Sequence, residues 1–433
     1  MAKRTRWLKA LVPLALLAAS SASGEPATPK AAHDLANEDR IAELERQVQV
    51  LAGEVERSRM DTAVPEEHLE SFYGYGPAAS KVYGLASGLS VGGYGEAYYR
   101  NYVADKGSNK DKTDFLRAVL YFGYKFTDSI IFNSEIEIEH ASEIYLEFAT
   151  LDFLWKDYAN LKAGLMLLPV GWLNEMHEPP FFFGVNRPDV ERYIIPTTWR
   201  ANGVGLFGSF GEQVHYKLYA VNSLSSNGVD SKKAKGFSAA GLRGGRQKGI
   251  KALAEDIAAT GRLDFTPLPG MILGGSFYVG GTGQDADGFP NALTTLFDLH
   301  AQWEWKNLWL RGLFTMAFVD QARALSDAMG YADDENVANQ MLGGYGEIAY
   351  DIWSFFSESD RKLQPFYRFE YYDTQFQVPA GATRNELHAV VSNTVGIQFE
   401  PIPNVVLKVD YRNLSPREGK LADEFNLGIG YVF

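Results

Sequence analysis

Cysteine is absent from the 433 residues, which removes a disulfide framework, thiolate metal ligands and cysteine nucleophiles at once. Long apolar runs are missing as well. Beyond a short run from Leu11 to Ala19, no segment stays apolar for the roughly 18 residues that a transmembrane helix requires. Positive charge is in deficit: 41 Lys and Arg against 54 Asp and Glu leave a formal charge of -13. Such a chain has no cationic surplus for neutralising phosphate, so nucleic acid is not an expected partner. What is plentiful is glycine, with 42 residues, and aromatic side chains, at 13%. Secreted β-proteins and barrels that cross membranes share that composition.

The amino end has the polarity of a secretory signal. Lys3, Arg4, Arg6 and Lys9 precede the apolar run, and small residues Ser20 to Gly24 follow, which predicts a signal peptide over 1–23. Over 37–58, Ile41, Leu44, Val48, Leu51 and Val55 recur at spacings of three and four among Glu43, Glu45, Arg46, Glu54, Glu56 and Arg57. That is a short coiled-coil helix, expected in the periplasm and expected to self-associate as a homotrimer. Residues 59–88, with Pro65 and Pro77, read as a linker.

From 89 to 433 the chain is a series of alternating segments about ten residues long. In one, Ile130, Phe132, Ile136 and Ile138 oppose Asn133, Glu135, Glu137 and Glu139; in another, Phe297, Leu299, Ala301, Trp303 and Trp305 oppose Asp298, His300, Gln302, Glu304 and Lys306. Sixteen candidate strands are centred near residues 97, 120, 135, 149, 164, 206, 218, 262, 275, 300, 313, 348, 369, 397, 408 and 428. Links after odd strands are mostly long and those after even strands mostly short. Long loops on one rim and tight turns on the other mark an outer-membrane barrel with both termini in the periplasm. The fold expected is all-β, a sixteen-stranded antiparallel transmembrane barrel in a Gram-negative outer membrane, in contact with lipid and lipopolysaccharide. A change of register between Phe148 and Leu151 predicts a bulge. The closing alternation ends at Tyr431 and Phe433, which resemble the signal read by the outer-membrane barrel-assembly machinery.

Pro169 to Arg200 is a long aperiodic stretch with five prolines and the cluster Phe181, Phe182, Phe183. Loops beyond roughly 12 to 15 residues are usually functional or disordered, and aromatic side chains need burial. In a barrel the available place is the lumen. This third outer loop is therefore expected to fold inward and narrow the pore, with Glu175, His177, Glu178, Arg187, Asp189, Glu191, Arg192 and Arg200 setting the field. The run from Tyr145 through Asn222, with NLKAGLMLLPVGW and then NRPDVERYIIPTTWRANGVGLFGSFG, resembles the phosphate-selective porin O and P family. The resemblance implies a sixteen-stranded trimer constricted by its third loop. Family members noted for phosphate uptake line the pore with Arg and Lys, and this chain departs from that. Its inward cations include Arg117, Lys125, Arg262, Arg311, Arg368, Lys408 and Arg412, which nearly balance acids that include Glu135, Glu137, Glu139, Glu347, Glu370 and Asp410.

Other patterns carry less. Gly203, Gly205 and Gly208 match GxGxxG but lead into a strand rather than a helix. His177 and Glu178 open an HExxH motif that fails at Phe181. The row Glu135, Glu137, Glu139 has the chemistry to attract a divalent cation, but the plainer reading is a hydrated wall. Lys232, Lys233, Lys235, Arg243, Arg246, Lys248 and Lys251 form a basic cluster in the fourth outer loop, suited to lipopolysaccharide phosphates or to gathering anionic solutes, and equally read as a plain solvated loop. No cofactor, metal or catalytic residue is expected. The function expected is passive diffusion of small hydrophilic solutes or ions. Its rivals are an enzyme built on a barrel and an envelope anchor with an incidental pore.

Overall fold

The computed structural model describes residues 40, 43–44, 46–50, 71–228, 235–357 and 359–433. The expected signal peptide, much of the expected coiled coil and residues 59–70 of the expected linker lie outside the described residues. The chain divides into two compact units, Met1–His68 and Leu69–Phe433. In the first, described residues between 40 and 50 are helical, Arg46 pairs with Glu43 at 2.9 Å, and Leu44 and Val48 are exposed.

The second unit is a closed antiparallel barrel of sixteen strands. They are β1 (Gly88–Ala104), β2 (Lys112–Thr127), β3 (Ile130–Glu139), β4 (Glu143–Lys156), β5 (Ala159–Leu167), β6 (Arg200–Phe210), β7 (Val214–Asn222) and β8 (Ile257–Phe265). β9 (Met271–Gly281), β10 (Leu293–Trp305), β11 (Leu308–Val319), β12 (Gln340–Tyr350), β13 (Lys362–Gln377), β14 (Ala389–Ile402), β15 (Val405–Pro416) and β16 (Asp423–Val432) complete it. Each strand pairs with its neighbours in sequence, and β1 closes on β16. Closure leaves no open edge, which is the condition for strands in hydrocarbon.

Alternation decides which way each side chain points. Leu120, Leu206, Leu218, Leu263, Leu299, Ile348 and Leu427 are exposed on the outer face, and Trp305 is 52% exposed there. Their charged neighbours turn inward. All the strand centres read from alternation fall inside these strands. Links after odd strands include 168–199, 223–256 and 320–339, whereas those after even strands are mostly turns such as 128–129 and 306–307. The 351–361 link after β12 is the exception; it contains a 3-10 turn at Trp353–Phe355. Pairing with β3 is regular between Phe148 and Leu151, where a bulge was expected; the bulge in β4 lies just before, at Glu147, where the register slips between Glu135 opposite Phe148 and Ile136 opposite Leu146. It turns Glu147 and Phe148 inward together, and both are buried.

The expected linker is, over its described part, something else. Helix α1 (Pro77–Gly84) packs on the inner wall against β1, β2 and β3. Asn133 of β3 donates to the carbonyl of Ala79 at 2.8 Å. Tyr75, Ala78, Ala79, Val82 and Tyr83 join Tyr94, Tyr121 and Phe148 in a buried apolar cluster. Gly123 on β2 is where Val82 sits, and a Cβ at that position would stand 2.5 Å from the Val82 Cβ. Burial of this apolar surface, at roughly 25 cal/mol per Å², is what holds the segment inside.

Candidate functional site in the barrel lumen

Loop 3, residues 168–199, leaves the wall after β5 and crosses the lumen. Asn174 locks its neck by donating to the carbonyls of Leu168 at 2.7 Å and Trp199 at 2.8 Å and accepting from the Trp199 amide at 2.6 Å. Beyond the neck come a 3-10 turn at Pro179–Phe181 and a short helix, α2 (Val190–Tyr193). Val190, Ile194, Ile195 and Trp199 pack with Phe237 and Leu242 of loop 4, residues 223–256, and with Tyr278, Leu296 and Leu313 of the wall. The loop's apolar residues thus find their burial inside the barrel.

The far wall then grips the loop by its backbone. Arg311 donates to the carbonyl of Phe181 at 3.1 Å. Arg368 reaches the carbonyls of Phe183 and Asn186, both at 3.0 Å. Lys408 reaches those of Phe182 at 2.6 Å and Gly184 at 3.0 Å and stands 3.7 Å over the Phe182 ring. Arg262 donates to the carbonyl of Gly171, and Arg412 pairs with Asp189 at 2.5 Å and with Glu424 at 3.0 Å. Arg117 joins Glu96 and Glu137, each at 2.8 Å, while Lys125 binds the carbonyl of Leu85 at 2.6 Å.

These contacts correct the picture of a hydrated wall. Arg117, Glu135, Glu137, Arg311, Arg368, Lys408 and Arg412 are all buried, and Glu139 is half-buried. A charge taken from water needs partners, and here loop 3 and its opposite-charge neighbours provide them. The residues expected to shape the constriction divide in the same way. Glu175 pairs with Lys217 at 2.6 Å, and Glu191 accepts from Tyr345 and from the Leu173 amide, both at 2.7 Å. Asp189 is spent on Arg412, and Arg200 lies 3.6 Å from Glu147. Only Arg187, half-buried, and Arg192, exposed, keep appreciable access to solvent among the eight. Arg243 of loop 4 stands near both; its burial and these two neighbours push its guanidinium down from its usual value, although a guanidinium keeps its proton.

Glu178 lies at the amino end of α1, so close that a Cβ on Gly76 would stand 2.5 Å from its carboxylate. Burial pushes this carboxyl up to about 8. Burial and, after it, Arg187 push the neighbouring His177 down to about 3, so its imidazole is neutral. Arg246, read from the sequence as part of an accessible basic cluster, is instead buried and donates to the carbonyls of Thr197 and Thr198, both at 2.9 Å.

Several residues escaped the sequence reading. Lys162 of β5 and Asp152 of β4 pair at 2.6 Å with Tyr83 of α1 on the same carboxylate, also at 2.6 Å. Lys162 lies on the inner face by simple alternation with Asn160, so that signal was present. Glu147 follows the alternation of the exposed Ile144 and Leu146, so its inward direction was legible too. Gly203, Gly205 and Gly208 lie within β6, as the strand reading required.

No family model matches this chain. A protein of Aquifex aeolicus (strain VF5), described as uncharacterized, is 36% identical over 388 residues, spanning 87% of this chain and 86% of its own. Among solved structures, OmpF of Salmonella typhi in complex with daunomycin superposes with a TM-score of 0.53 at 12% identity, over 80% of this chain and 98% of that one. The anion-selective porin from Comamonas acidovorans gives 0.51 at 12% identity, over 80% and 100%. At such identities the likeness is one of fold, that of the porin barrel.

Proposed function

Since the chain belongs to one family with the Aquifex aeolicus protein and has the porin-type barrel, we propose that it is a narrow outer-membrane channel for small hydrophilic solutes or ions. Diffusion through it is passive. The observation that carries this reading is loop 3, fixed across the lumen by Arg311, Arg368, Lys408 and Arg412. A barrel serving only as an anchor has no use for a loop held so firmly across its interior. Loop 3 then forms the constriction, and α1 narrows the other end. The apolar belt faces lipid, with Tyr431 and Phe433 on the strand that the assembly machinery reads. The exposed Leu44 and Val48 of the amino-terminal helix fit a homotrimer joined through that helix.

Among the described residues of loops 3 and 4, Arg187, Arg192, Lys235, Arg243, Lys248 and Lys251 keep solvent access and outnumber the acids that do, Glu255 and Asp256, so these loops favour anions. The resemblance to phosphate-selective porins adds no phosphate preference to this, because the inward arginines are spent on loop carbonyls and carboxylates. His300 spends both ring nitrogens, on Asp264 at 2.8 Å and Asp298 at 2.5 Å, which leaves this histidine without a free nitrogen to act as a base.

Planar-bilayer recordings of the purified full-length protein test the proposal. Stepwise channels of small conductance are expected, and removal of residues 71–85 is expected to raise the unit conductance severalfold. Silence from both forms, each with an intact barrel, overturns it.

A further inference from the structure

Three buried groups from three elements converge at a point that the channel reading leaves unused. β3 supplies Glu135, the bulge of β4 supplies Glu147 and loop 3 supplies His177, and one donor atom of each lies within 4.8 Å of the others. His177 Nε2 is 3.6 Å from a Glu135 oxygen and 3.9 Å from a Glu147 oxygen. Those separations are too long for hydrogen bonds. They are close to the spacing of neighbouring donors around a tetrahedral zinc-sized ion, roughly 3.4 Å when each bond is about 2.1 Å.

A second observation concerns partners. Both ring nitrogens of His177 are buried without a hydrogen-bond partner, and the residue is 2% exposed. Leaving a buried polar group unsatisfied costs about 1–3 kcal/mol each, so an imidazole with both nitrogens stranded, aimed at two buried carboxylates, is missing a component. Chemistry identifies it: an imidazole nitrogen and carboxylate oxygens are lone-pair donors, and a metal cation is the one ligand that accepts from all three at once.

We propose that Glu135, Glu147 and His177 form a binding site for one divalent transition-metal ion, zinc fitting the imidazole and carboxylate donors best. The ion ties loop 3 to β3 and β4, on the side of the barrel opposite the arginines that hold the loop's far end. Glu147 lies on the inner face next to the exposed Leu146, and the bulge leaves it without a partner across the β3 ladder.

The test is the metal content of full-length protein extracted from membranes in detergent without chelator, and again after denaturation with EDTA and refolding with Zn2+ or Co2+. Close to one zinc per chain is expected, and Co2+-refolded protein is expected to show the visible absorption of nitrogen- and oxygen-ligated cobalt. His177→Gln and Glu147→Gln should each lower bound metal at least tenfold, with barrel formation checked by heat-modifiable mobility on gels. Glu139→Gln, half-exposed on the same row, should leave it unchanged. Wild-type protein that refolds with excess Zn2+ yet holds less than a tenth of an equivalent overturns the site. So does equal binding by the variants. Should the variants fail to form barrels, the wild-type cobalt spectrum decides: without ligand-field bands the site is wrong.

Discussion

Arg368 is fully buried, and its guanidinium is divided among four partners: Glu347 at 3.0 Å, Glu370 at 2.9 Å and the carbonyls of Phe183 and Asn186. The geometry uses the planar fork of an arginine, which a lysine cannot reproduce. Arg368→Ala strands two buried carboxylates and two loop carbonyls. Breaking a buried pair from one side costs about 3–5 kcal/mol, so a clearly lower thermal transition and noisier single-channel currents are expected. Arg368→Met combined with Glu370→Gln should recover part of the loss, because it removes charge from both sides. An Arg368→Ala barrel as stable and as quiet as the wild type would show that the loop is held elsewhere. Alternation placed Arg368 on the inner face. It was silent about the carbonyls, because they come from residues more than 180 positions away.

At the scale of elements, α1 rests on glycine. Gly92 lies under the Ala78 carbonyl, where a Cβ would be at 2.8 Å, and Gly123 lies under Val82. Gly123→Ala overpacks that contact, at a cost of roughly 1–3 kcal/mol, and the helix rather than the hydrogen-bonded wall should yield. Faster proteolysis within 71–87 and a larger unit conductance are expected. Gly346→Ala on β12, with open space at its Cβ, should change neither. Equal protection in both variants would mean that α1 is held by something other than this fit. The strands themselves were readable because each carries its own period-two pattern. α1 was not, because an eight-residue helix after Pro77 looks like any linker until the glycines on the wall opposite it are known. Inward-facing strand glycines were the available hint.

For the molecule as a whole, the formal charge of -13 says little about the field in the pore. Most inward charges among the described residues are paired, so in the proposed channel the field is expected to follow the accessible cations of loops 3 and 4. Lys248 of loop 4 titrates among them; burial, followed by Arg246, Arg200 and Arg243, pushes its ammonium down to about 8. A base with a depressed value loses its proton as pH rises through it. Anion preference, read from reversal potentials in a salt gradient, should therefore fall between pH 7 and 9. Lys248→Met should start lower and stay flat across that range. A wild-type reversal potential that does not move between those pH values counts against an anionic path past loop 4.

By itself the sequence determined the closed sixteen-stranded wall, its apolar outer belt and the contrast between its rims. Those properties follow from short-range alternation and turn chemistry, which each segment carries alone. Tertiary structure decided what the interior does with its charges: which cations hold loop 3, which carboxylates are spent in pairs, and how loop 3 brings His177 to Glu147. Such outcomes depend on partners far apart in the chain, as Asp189 and Arg412 are, and burial makes them matter, because a charge removed from water is set by whichever neighbour reaches it.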